Sequence, residues 1–314
     1  MSRYLVTGGA GFIGSNIVEE LVRRKEEVRV VDDFSSGKRE NLRGVADKIE
    51  IIEGDIRDLN LMKKVTKGCD YVLHQAALRS VPKSMKNPRL YDEVNVMGTL
   101  NLLVASSENG VRRFVFASSS SVYGDSDKLP QSETQIPQPI SPYAATKLAG
   151  EHYCHVFARS YGLETVALRY FNVFGPRQSL ESEYAVVIPK FITCIIRGEQ
   201  PPVHGNGKQS RDFTYVDNVV DANLTAAVRD GVSGEVFNVA CGKGYDLLGL
   251  VRIINGILGR DIKPKFTEPR PGDVMHTLSD IKKMKRLLKL EPKVDFVLGL
   301  RKTIEYFRPL AQKA

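Results

Sequence analysis

The stretch Tyr4-Leu5-Val6-Thr7-Gly8-Gly9-Ala10-Gly11-Phe12-Ile13-Gly14 sets the fold class of this 314-residue chain. Its first four residues predict a short strand, and a helical pattern follows from about residue 12 to 24. Glycines at 8, 11 and 14 suit a tight turn, a close approach of the backbone to a pyrophosphate, and close packing of helix on strand. A glycine triplet alone is a weak signal, but a strand before it and a helix after it are the context of a dinucleotide-binding turn.

Short apolar strands alternate with helical patterns further along the chain, which is typical of a doubly wound parallel sheet. Strands are predicted at 28–31, 49–56, 71–77, 114–117 and 165–170, and a long helix at 88–109. After Asn172, prolines and glycines break this pattern, and one further strand returns at 235–240. We therefore predict an α/β fold with a Rossmann-like domain over residues 1–171 and a returning segment at about 214–240. Residues 172–213 and 241–314 would form a smaller C-terminal lobe that binds substrate.

The second predicted strand ends in Asp32-Asp33, and Asp32 lies 21 residues past Gly11. A carboxylate at this position can accept hydrogen bonds from an adenosine ribose and would repel a 2′-phosphate. The pattern therefore favours NAD over NADP as cofactor. The alternative, a surface aspartate at a strand end, is weaker because of the glycines upstream.

Composition excludes several classes of protein. The net charge is +8, but the basic residues are scattered apart from 282–289, whose helical periodicity indicates a solvated face. No DNA- or RNA-binding signature accompanies them, so we expect no nucleic-acid partner. The four cysteines are far apart, which indicates reduced thiols in a cytoplasmic protein and no zinc site. We expect no membrane association, because no signal-peptide pattern and no apolar run of membrane-spanning length occurs.

A second informative stretch is Ser141-Pro142-Tyr143-Ala144-Ala145-Thr146-Lys147. Ser141 and Pro142 suit the start of a helix, which would place Tyr143 and Lys147 on one face. An ammonium group near the phenol would lower the tyrosine pKa toward neutrality. Taken alone, the stretch is more typical of an ordinary amphipathic helix with a half-buried tyrosine and a solvated lysine.

Polar side chains elsewhere point to a ligand site. Residues 118–121 are four serines directly after a predicted strand, where α/β sheets bind ligands. Arg211, Arg270 and the turn at Asn172 could hold an anionic ligand, because the arginine fork suits phosphate oxygens. His74 has no acidic or nucleophilic partner in the sequence, so we interpret it as structural.

These residues resemble a known family. Thr7-Gly8-x-x-Gly11-x-x-Gly14, Ser119 and Tyr143-x-x-x-Lys147 resemble the extended short-chain dehydrogenases/reductases over nearly the whole chain. The motifs at 54–58, 74–77, 169–175 and 210–213 are similar to those of the nucleotide-sugar members. Among these, the chain looks most like the UDP-hexose 4-epimerases, in particular those that act on UDP-N-acetylglucosamine.

The resemblance implies a role for each matching residue. Tyr143 would be the acid/base on the sugar 4-hydroxyl, Ser119 its hydrogen-bonding partner, and Lys147 the residue that holds the nicotinamide ribose. The implied NAD site comprises Gly8, Gly11, Phe12, Ile13, Gly14, Asp32, Asp33, Asp55, Ile56, Ala76, Asn95, Tyr143, Lys147 and Tyr170. The implied nucleotide-sugar site comprises Ser119, Ser120, Asn172, Val187, Lys190, Val203, His204, Arg211, Arg270, Asp273 and Thr277. The family also implies a homodimer built on helices at about 91–109 and 143–160.

Three positions distinguish between members of this family. Dehydratases and decarboxylases have an acidic residue where this chain has Ser120, and uronate epimerases usually have threonine where it has Asn172. Thr277 lies where enzymes restricted to sugars without an acetamido group tend to have a bulky tyrosine. We therefore predict a UDP-hexose 4-epimerase that accepts the GlcNAc/GalNAc and the Glc/Gal pairs. A UDP-glucuronate 4-epimerase, another enzyme on nucleotide sugars, and a non-enzymatic NAD-binding regulator are the alternatives.

Overall fold

A seven-stranded parallel sheet forms the centre of the computed structural model, which describes residues 1–179, 187–268 and 274–313. The strands are β1 (Arg3–Thr7), β2 (Glu27–Asp32), β3 (Glu50–Glu53), β4 (Tyr71–His74), β5 (Arg113–Ser119), β6 (Glu164–Tyr170) and β7 (Glu235–Val239). Their spatial order is β7-β6-β5-β4-β1-β2-β3, with every neighbouring pair parallel. The predicted Rossmann-like sheet is confirmed.

The strand order reverses at β1. The chain builds β2 and β3 on one side of β1, then returns to place β4 on its other side, with Thr7 opposite His74. The connections after β1 and β4 therefore leave the sheet in opposite directions, and a crevice opens at the carboxyl ends of these strands. In open α/β sheets this switch point is where ligands bind.

The α-helices of the described residues are α1 (Phe12–Arg23), α2 (Leu59–Thr66), α3 (Val81–Lys86), α4 (Pro88–Asp92), α5 (Gly98–Glu108), α6 (Pro142–Ser160), α7 (Val187–Arg197), α8 (Val216–Val228), α9 (Leu247–Leu258) and α10 (Phe296–Lys313). Helices α1 and α8 cover one face of the sheet, and α2, α5 and α6 cover the other.

Successive side chains of a strand point to opposite faces, and this alternation creates two apolar layers. Val6 of β1 lies in the layer that includes α1 and α8. Leu5 lies in the layer that includes α2, α5 and α6. Because both faces are covered, the central strands read as continuous apolar runs rather than alternating ones.

The predicted long helix at 88–109 is helical throughout, but it is not a single α-helix. A π-helical turn, Glu93–Met97, separates α4 from α5. The interpretation of 282–289 is also confirmed: Met284 and Leu288 are buried, whereas Lys282, Lys285 and Arg286 are exposed.

The chain after Asn172 contributes short strand pairs and further helices. Val173–Phe174 pairs with Thr214–Tyr215, Pro202–His204 with Lys265–Thr267, and Ser210–Asp212 with Gly244–Asp246. Helix α7 packs against α9 and α10, and β7 returns to the edge of the central sheet beside β6. All four cysteines are unpaired. No helix in the described part of the chain combines the length and apolar character needed to cross a membrane.

Candidate active site

The turn between β1 and α1 is packed so closely that two of its glycines have no room for a side chain. Gly8 has φ +65°, and a Cβ there would lie 2.7 Å from the Ala76 nitrogen at the end of β4. A Cβ on Gly14 would lie 2.1 Å from the Gly8 carbonyl oxygen. Helix α1 consequently starts at the crevice, where its N-terminal dipole favours an anionic group.

A cleft of about 400 Å³ occupies this crevice. Every predicted cofactor residue except Asn95 lines it: Gly8, Gly11, Phe12, Ile13, Gly14, Asp32, Asp33, Asp55, Ile56, Ala76, Tyr143, Lys147 and Tyr170. Residues from six segments of the chain are thus brought to one site, although that site's ligand contacts remain a prediction.

Asp32 lies at the end of β2 with only 6% of its surface exposed. Its Oδ2 accepts a hydrogen bond from the Ala10 nitrogen (2.9 Å), and its Oδ1 accepts one from the Phe34 nitrogen (2.9 Å). Burial raises the pKa of this carboxyl group, and the two backbone hydrogen bonds oppose the rise. The carboxylate is therefore fixed in orientation on the wall of the cleft.

Asn95 is placed differently from its predicted role. Its Oδ1 accepts from the Leu78 nitrogen (2.8 Å), and its Nδ2 donates to the Leu78 carbonyl oxygen (3.0 Å) and to Thr146 Oγ1 (3.0 Å). The side chain is buried and does not line the cleft. Asn95 thus clamps the loop after β4 onto α6, and its direct contact with the cofactor stays a prediction.

Helix α6 carries Tyr143 and Lys147 as predicted. Ser141 caps the helix by accepting a hydrogen bond from the Ala144 nitrogen (3.2 Å), and Pro142 is its first residue. Ser119 ends β5 next to this helix, and its side chain lowers the pKa of the Tyr143 phenol. Ser121 Oγ donates to Ser119 Oγ at 2.9 Å, so the serine pair orients the hydroxyl that faces the tyrosine.

The predicted effect of Lys147 on the pKa of Tyr143 stays a prediction, because other groups contact the lysine and act on the tyrosine here. Lys147 Nζ donates to the Ala117 carbonyl oxygen (2.8 Å) and lies 4.9 Å from the centre of the Phe116 ring. Burial raises the pKa of Tyr143, against the opposing effects of the Ser119 hydrogen bond and the positive charge of Arg79. Burial also lowers the pKa of Lys147 to about 8. Arg79, which the sequence analysis did not select, thus contributes a positive charge near Tyr143.

His74 is structural, as predicted. Its Nδ1 hydrogen-bonds with Thr7 Oγ1 (2.7 Å), and its Nε2 hydrogen-bonds with Thr99 Oγ1 (2.9 Å). Burial, reinforced by the positive charge of Lys147, lowers the pKa of His74 to about 3, so the ring is neutral. It ties β1 to β4 and α5 below the cleft.

Several residues of the predicted nucleotide-sugar site form a cluster next to the sheet edge. Asn172 Nδ2 donates to Thr277 Oγ1 (3.0 Å) and to the Asp212 carbonyl oxygen (3.4 Å). Arg211 Nη1 donates to the carbonyl oxygens of Ser210 (2.8 Å) and Met275 (3.2 Å). This brings Asn172, Arg211 and Thr277 together, although they are far apart in sequence.

The buried carboxylate of Asp212 explains why this cluster forms. It accepts hydrogen bonds from the backbone nitrogens of Cys241 (3.0 Å), Gly242 (2.9 Å) and Ser279 (3.2 Å). These bonds join the strand that carries Arg211 to the segments around 241 and 279.

The other predicted substrate residues lie in several different parts of the structure. Ser120 begins a short 3₁₀ turn after β5, and Val187 and Lys190 lie in the first turn of α7. His204 Nδ1 hydrogen-bonds with Thr267 Oγ1 (2.7 Å). Val203 has no exposed surface and belongs to the core, and the expectation that it lies near the uracil stays a prediction. Arg270 and Asp273 lie outside the described residues.

The cleft also contains residues that the sequence analysis did not select. They are Ser35, Ser36, Lys38 and Asn41 after β2, Leu78 and Arg79 after β4, Arg177, Gln178 and Ser179 after β6, and Tyr306, Phe307 and Leu310 of α10. The first group follows Asp32 closely, so the motif itself could have found it. The helix α10 group carries no motif and reaches the cleft only through the tertiary fold.

The residues present fit a dinucleotide. The glycine cradle at the start of α1 suits a pyrophosphate, and the fixed Asp32 carboxylate suits a ribose diol. In addition, Arg177 Nη1 and Gln178 Oε1 are buried polar atoms of cleft-lining residues that lack hydrogen-bond partners within the described ranges. Buried polar groups are normally paired, so these two atoms indicate that a polar ligand completes the cleft.

Residues 4–240 match the sequence model of the NAD dependent epimerase/dehydratase family. The chain belongs to this family. The UDP-glucose 4-epimerase of Mycolicibacterium smegmatis is 38% identical, covering 99% of this chain and 100% of that protein. The family and the predicted NAD cofactor class are therefore confirmed.

Two solved structures of family members are similar over nearly the whole chain. The UDP-N-acetylglucosamine 4-epimerase of Methanobrevibacter ruminantium, in complex with UDP-N-acetylmuramic acid, has a TM-score of 0.94 at 43% identity, covering 98% and 99% of the two chains. The UDP-glucose 4-epimerase of Thermotoga maritima, with UDP-glucose, has a TM-score of 0.93 at 42% identity and the same coverage. The UDP-glucuronate 4-epimerase of Thermodesulfobacterium geofontis is 32% identical, and the UDP-N-acetyl-alpha-D-glucosaminuronate decarboxylase of Bacillus cytotoxicus is 34% identical, each over 98% of this chain. The coarse function, that of a nucleotide-sugar enzyme of the 4-epimerase group, follows from these likenesses, whereas the sugar does not.

Proposed function

We propose that the protein interconverts UDP-hexoses that differ at carbon 4, with and without a 2-acetamido group. The observation that carries this proposal is that Tyr143 and Lys147 line the dinucleotide cleft one helical turn apart on α6, with Ser119 at the end of the neighbouring strand β5. It supports an acid/base group next to the cofactor, as a reversible alcohol oxidation requires.

When bound, NAD supplies a hydride acceptor and donor, and its oxidised ring carries a positive charge that favours a phenolate. Tyr143 takes the proton of the sugar 4-hydroxyl, and Ser119 holds the same oxygen. Arg79 stabilises the phenolate and so opposes the effect of burial on the tyrosine pKa. After the keto sugar has turned its other face to the site, Tyr143 returns the proton, so the reaction has no net oxidation.

The cluster around Asn172 would hold the UDP group during this turn. Asn172 and Arg211 are fixed by the carbonyl and hydroxyl contacts described above, which orient an amide and a guanidinium group at the sheet edge. Tethering by the diphosphate keeps the keto sugar bound while it presents either face.

Thr277 supports acceptance of the acetamido group. Its hydroxyl group accepts a hydrogen bond from Asn172, and the residue is 9% exposed, so its side chain is drawn into the cluster. A threonine held in this way leaves more space than a tyrosine would.

The function is tested by a coupled assay with UDP-galactose, UDP-N-acetylgalactosamine and UDP-galacturonate. We expect turnover of the first two, because the cluster holds Asn172 and a small Thr277. Turnover of UDP-galacturonate alone would contradict the proposed substrate and support a uronate epimerase.

A variant isolates the contribution of Thr277. We expect Thr277→Tyr to lower kcat/KM for UDP-N-acetylgalactosamine about tenfold or more relative to UDP-galactose. The tyrosine ring would occupy the space that the 2-acetamido group of the sugar needs. Thr134→Tyr, at an exposed loop position, is the matched control and should leave the ratio unchanged. An unchanged ratio in Thr277→Tyr would remove this residue from sugar selection.

We also propose a homodimer formed by the helical segments at about 91–109 and 143–160. Met97 (51%) and Val156 (45%) leave large apolar side chains exposed on these segments. We expect sedimentation equilibrium to give twice the chain mass, and Met97→Lys with Val156→Lys to give the monomer mass. A monomeric parent protein would contradict the proposal.

A further inference from the structure

The turn Gly175-Pro176-Arg177 follows β6 and has no part in the chemistry proposed above. Arg177 has φ +69°, a backbone conformation that favours glycine over a branched or long side chain. An arginine is held there by its surroundings: Gln178 Nε2 donates to the Val173 carbonyl oxygen (2.9 Å) and closes the turn. Strained backbone positions are frequent at functional sites, which makes the contacts of the Arg177 guanidinium group informative.

Two contacts fix this turn against α1. Asn16 Nδ2 donates to the Pro176 carbonyl oxygen (3.4 Å) and to the Phe12 carbonyl oxygen in its own helix (2.8 Å). Arg177 Nη2 forms an ion pair with Glu19. Asn16 and Glu19 are three residues apart and lie on one face of α1, so the guanidinium group lies alongside the N-terminal half of that helix.

The other edge of the guanidinium group is buried and unused. Nη1 has no hydrogen-bond partner among the residues that the structure describes, while Arg177 lines the same cleft as Gly11, Phe12 and Gly14. An unpaired buried N–H group is costly, whereas arginine can give one edge to a carboxylate and the other to a phosphate oxygen.

We propose that Arg177 binds the pyrophosphate of NAD, with Glu19 holding one edge of its guanidinium group and a phosphate oxygen accepting from the other. The dinucleotide is favoured over the UDP diphosphate, because Arg177 lies against α1, whereas Asn172, Arg211 and Thr277 do not line this cleft. The inference rests on the NAD dependence of the family and is independent of which sugar is turned over.

The test compares nucleotide binding by the parent protein and by Arg177→Met, with NAD, ADP and UDP as probes. We expect the affinities for NAD and ADP to fall about tenfold to a hundredfold, as for loss of a charge-assisted hydrogen bond, and the UDP affinity to stay within about twofold. The NAD content of the purified protein should fall in parallel. These readouts do not depend on sugar turnover, so they remain valid if the proposed substrate is wrong.

Two further variants distinguish a direct contact of Arg177 with the nucleotide from a purely structural role. Glu19→Gln breaks the ion pair but keeps the guanidinium group, and it should weaken ADP binding by less than about threefold. Should Arg177→Met fail to fold, Arg177→Gln, which keeps a polar end on a shorter stem, carries the same expectation. Unchanged NAD and ADP affinities, a loss confined to UDP, or an equal loss in Glu19→Gln would each overturn the proposal.

Discussion

Tyr143→Phe should lose about 10²- to 10⁴-fold in turnover of UDP-hexoses while it keeps NAD. The substitution removes only the phenol hydroxyl group and leaves the ring on the wall of the cleft. The proton of the sugar 4-hydroxyl then has no acceptor, whereas the glycine turn and Asp32 are untouched. Steady-state rates with UDP-galactose, together with the NAD content of the purified variant, measure the two effects separately.

Tyr153→Phe is the matched control, because Tyr153 lies on the same helix but does not line the cleft. It should keep the parent rate. Equal rates in the two variants would remove Tyr143 from the mechanism. A parent protein that binds NAD but turns over none of the nucleotide sugars would instead favour the NAD-binding regulator.

The second large effect concerns stability, and it comes from the buried ion pair of Arg169 on β6 with Glu151 on α6. Both side chains are 4% exposed, and Arg169 donates from Nε to Oε1 (2.9 Å) and from Nη2 to Oε2 (2.7 Å). Ser118 also donates to the Glu151 carboxylate. Arg169→Met leaves this carboxylate buried without its counter-ion, and we expect the free energy of unfolding to fall by about 3–5 kcal/mol.

Urea unfolding followed by circular dichroism measures this change. Adding Glu151→Gln to Arg169→Met should recover part of the loss, because it removes the uncompensated charge. Lys63→Ala, which breaks an exposed pair with Glu108, should cost about 0–1 kcal/mol. A loss in Arg169→Met no larger than in Lys63→Ala would show that the buried pair contributes little.

The parts of the fold that depend on neighbours in sequence could be predicted. The glycine turn, Asp32 and the capped start of α6 are encoded within a few residues, and each is found where the pattern indicated. Even the internal π-helical turn left the predicted helix at 88–109 in place.

The direction in which a side chain points could not be predicted in the same way. Asn95 and Val203 lie in correctly predicted regions, but the fold directs them into the interior. Lys147 has the predicted spacing from Tyr143, yet its ammonium group is taken by the Ala117 carbonyl oxygen. Arg79 and Arg177 carry no local motif, and only the assembled loops bring them to the cleft. Such properties depend on contacts between distant segments, which a spacing rule does not contain.

Helix α10 makes the cofactor cleft depend on segments that are far apart in the sequence. Tyr306, Phe307 and Leu310 line the same cleft as Gly8, on the turn after β1. A ligand that binds only the folded cleft stabilises both segments together, because it shifts the equilibrium toward the state in which α10 is docked beside the glycine turn.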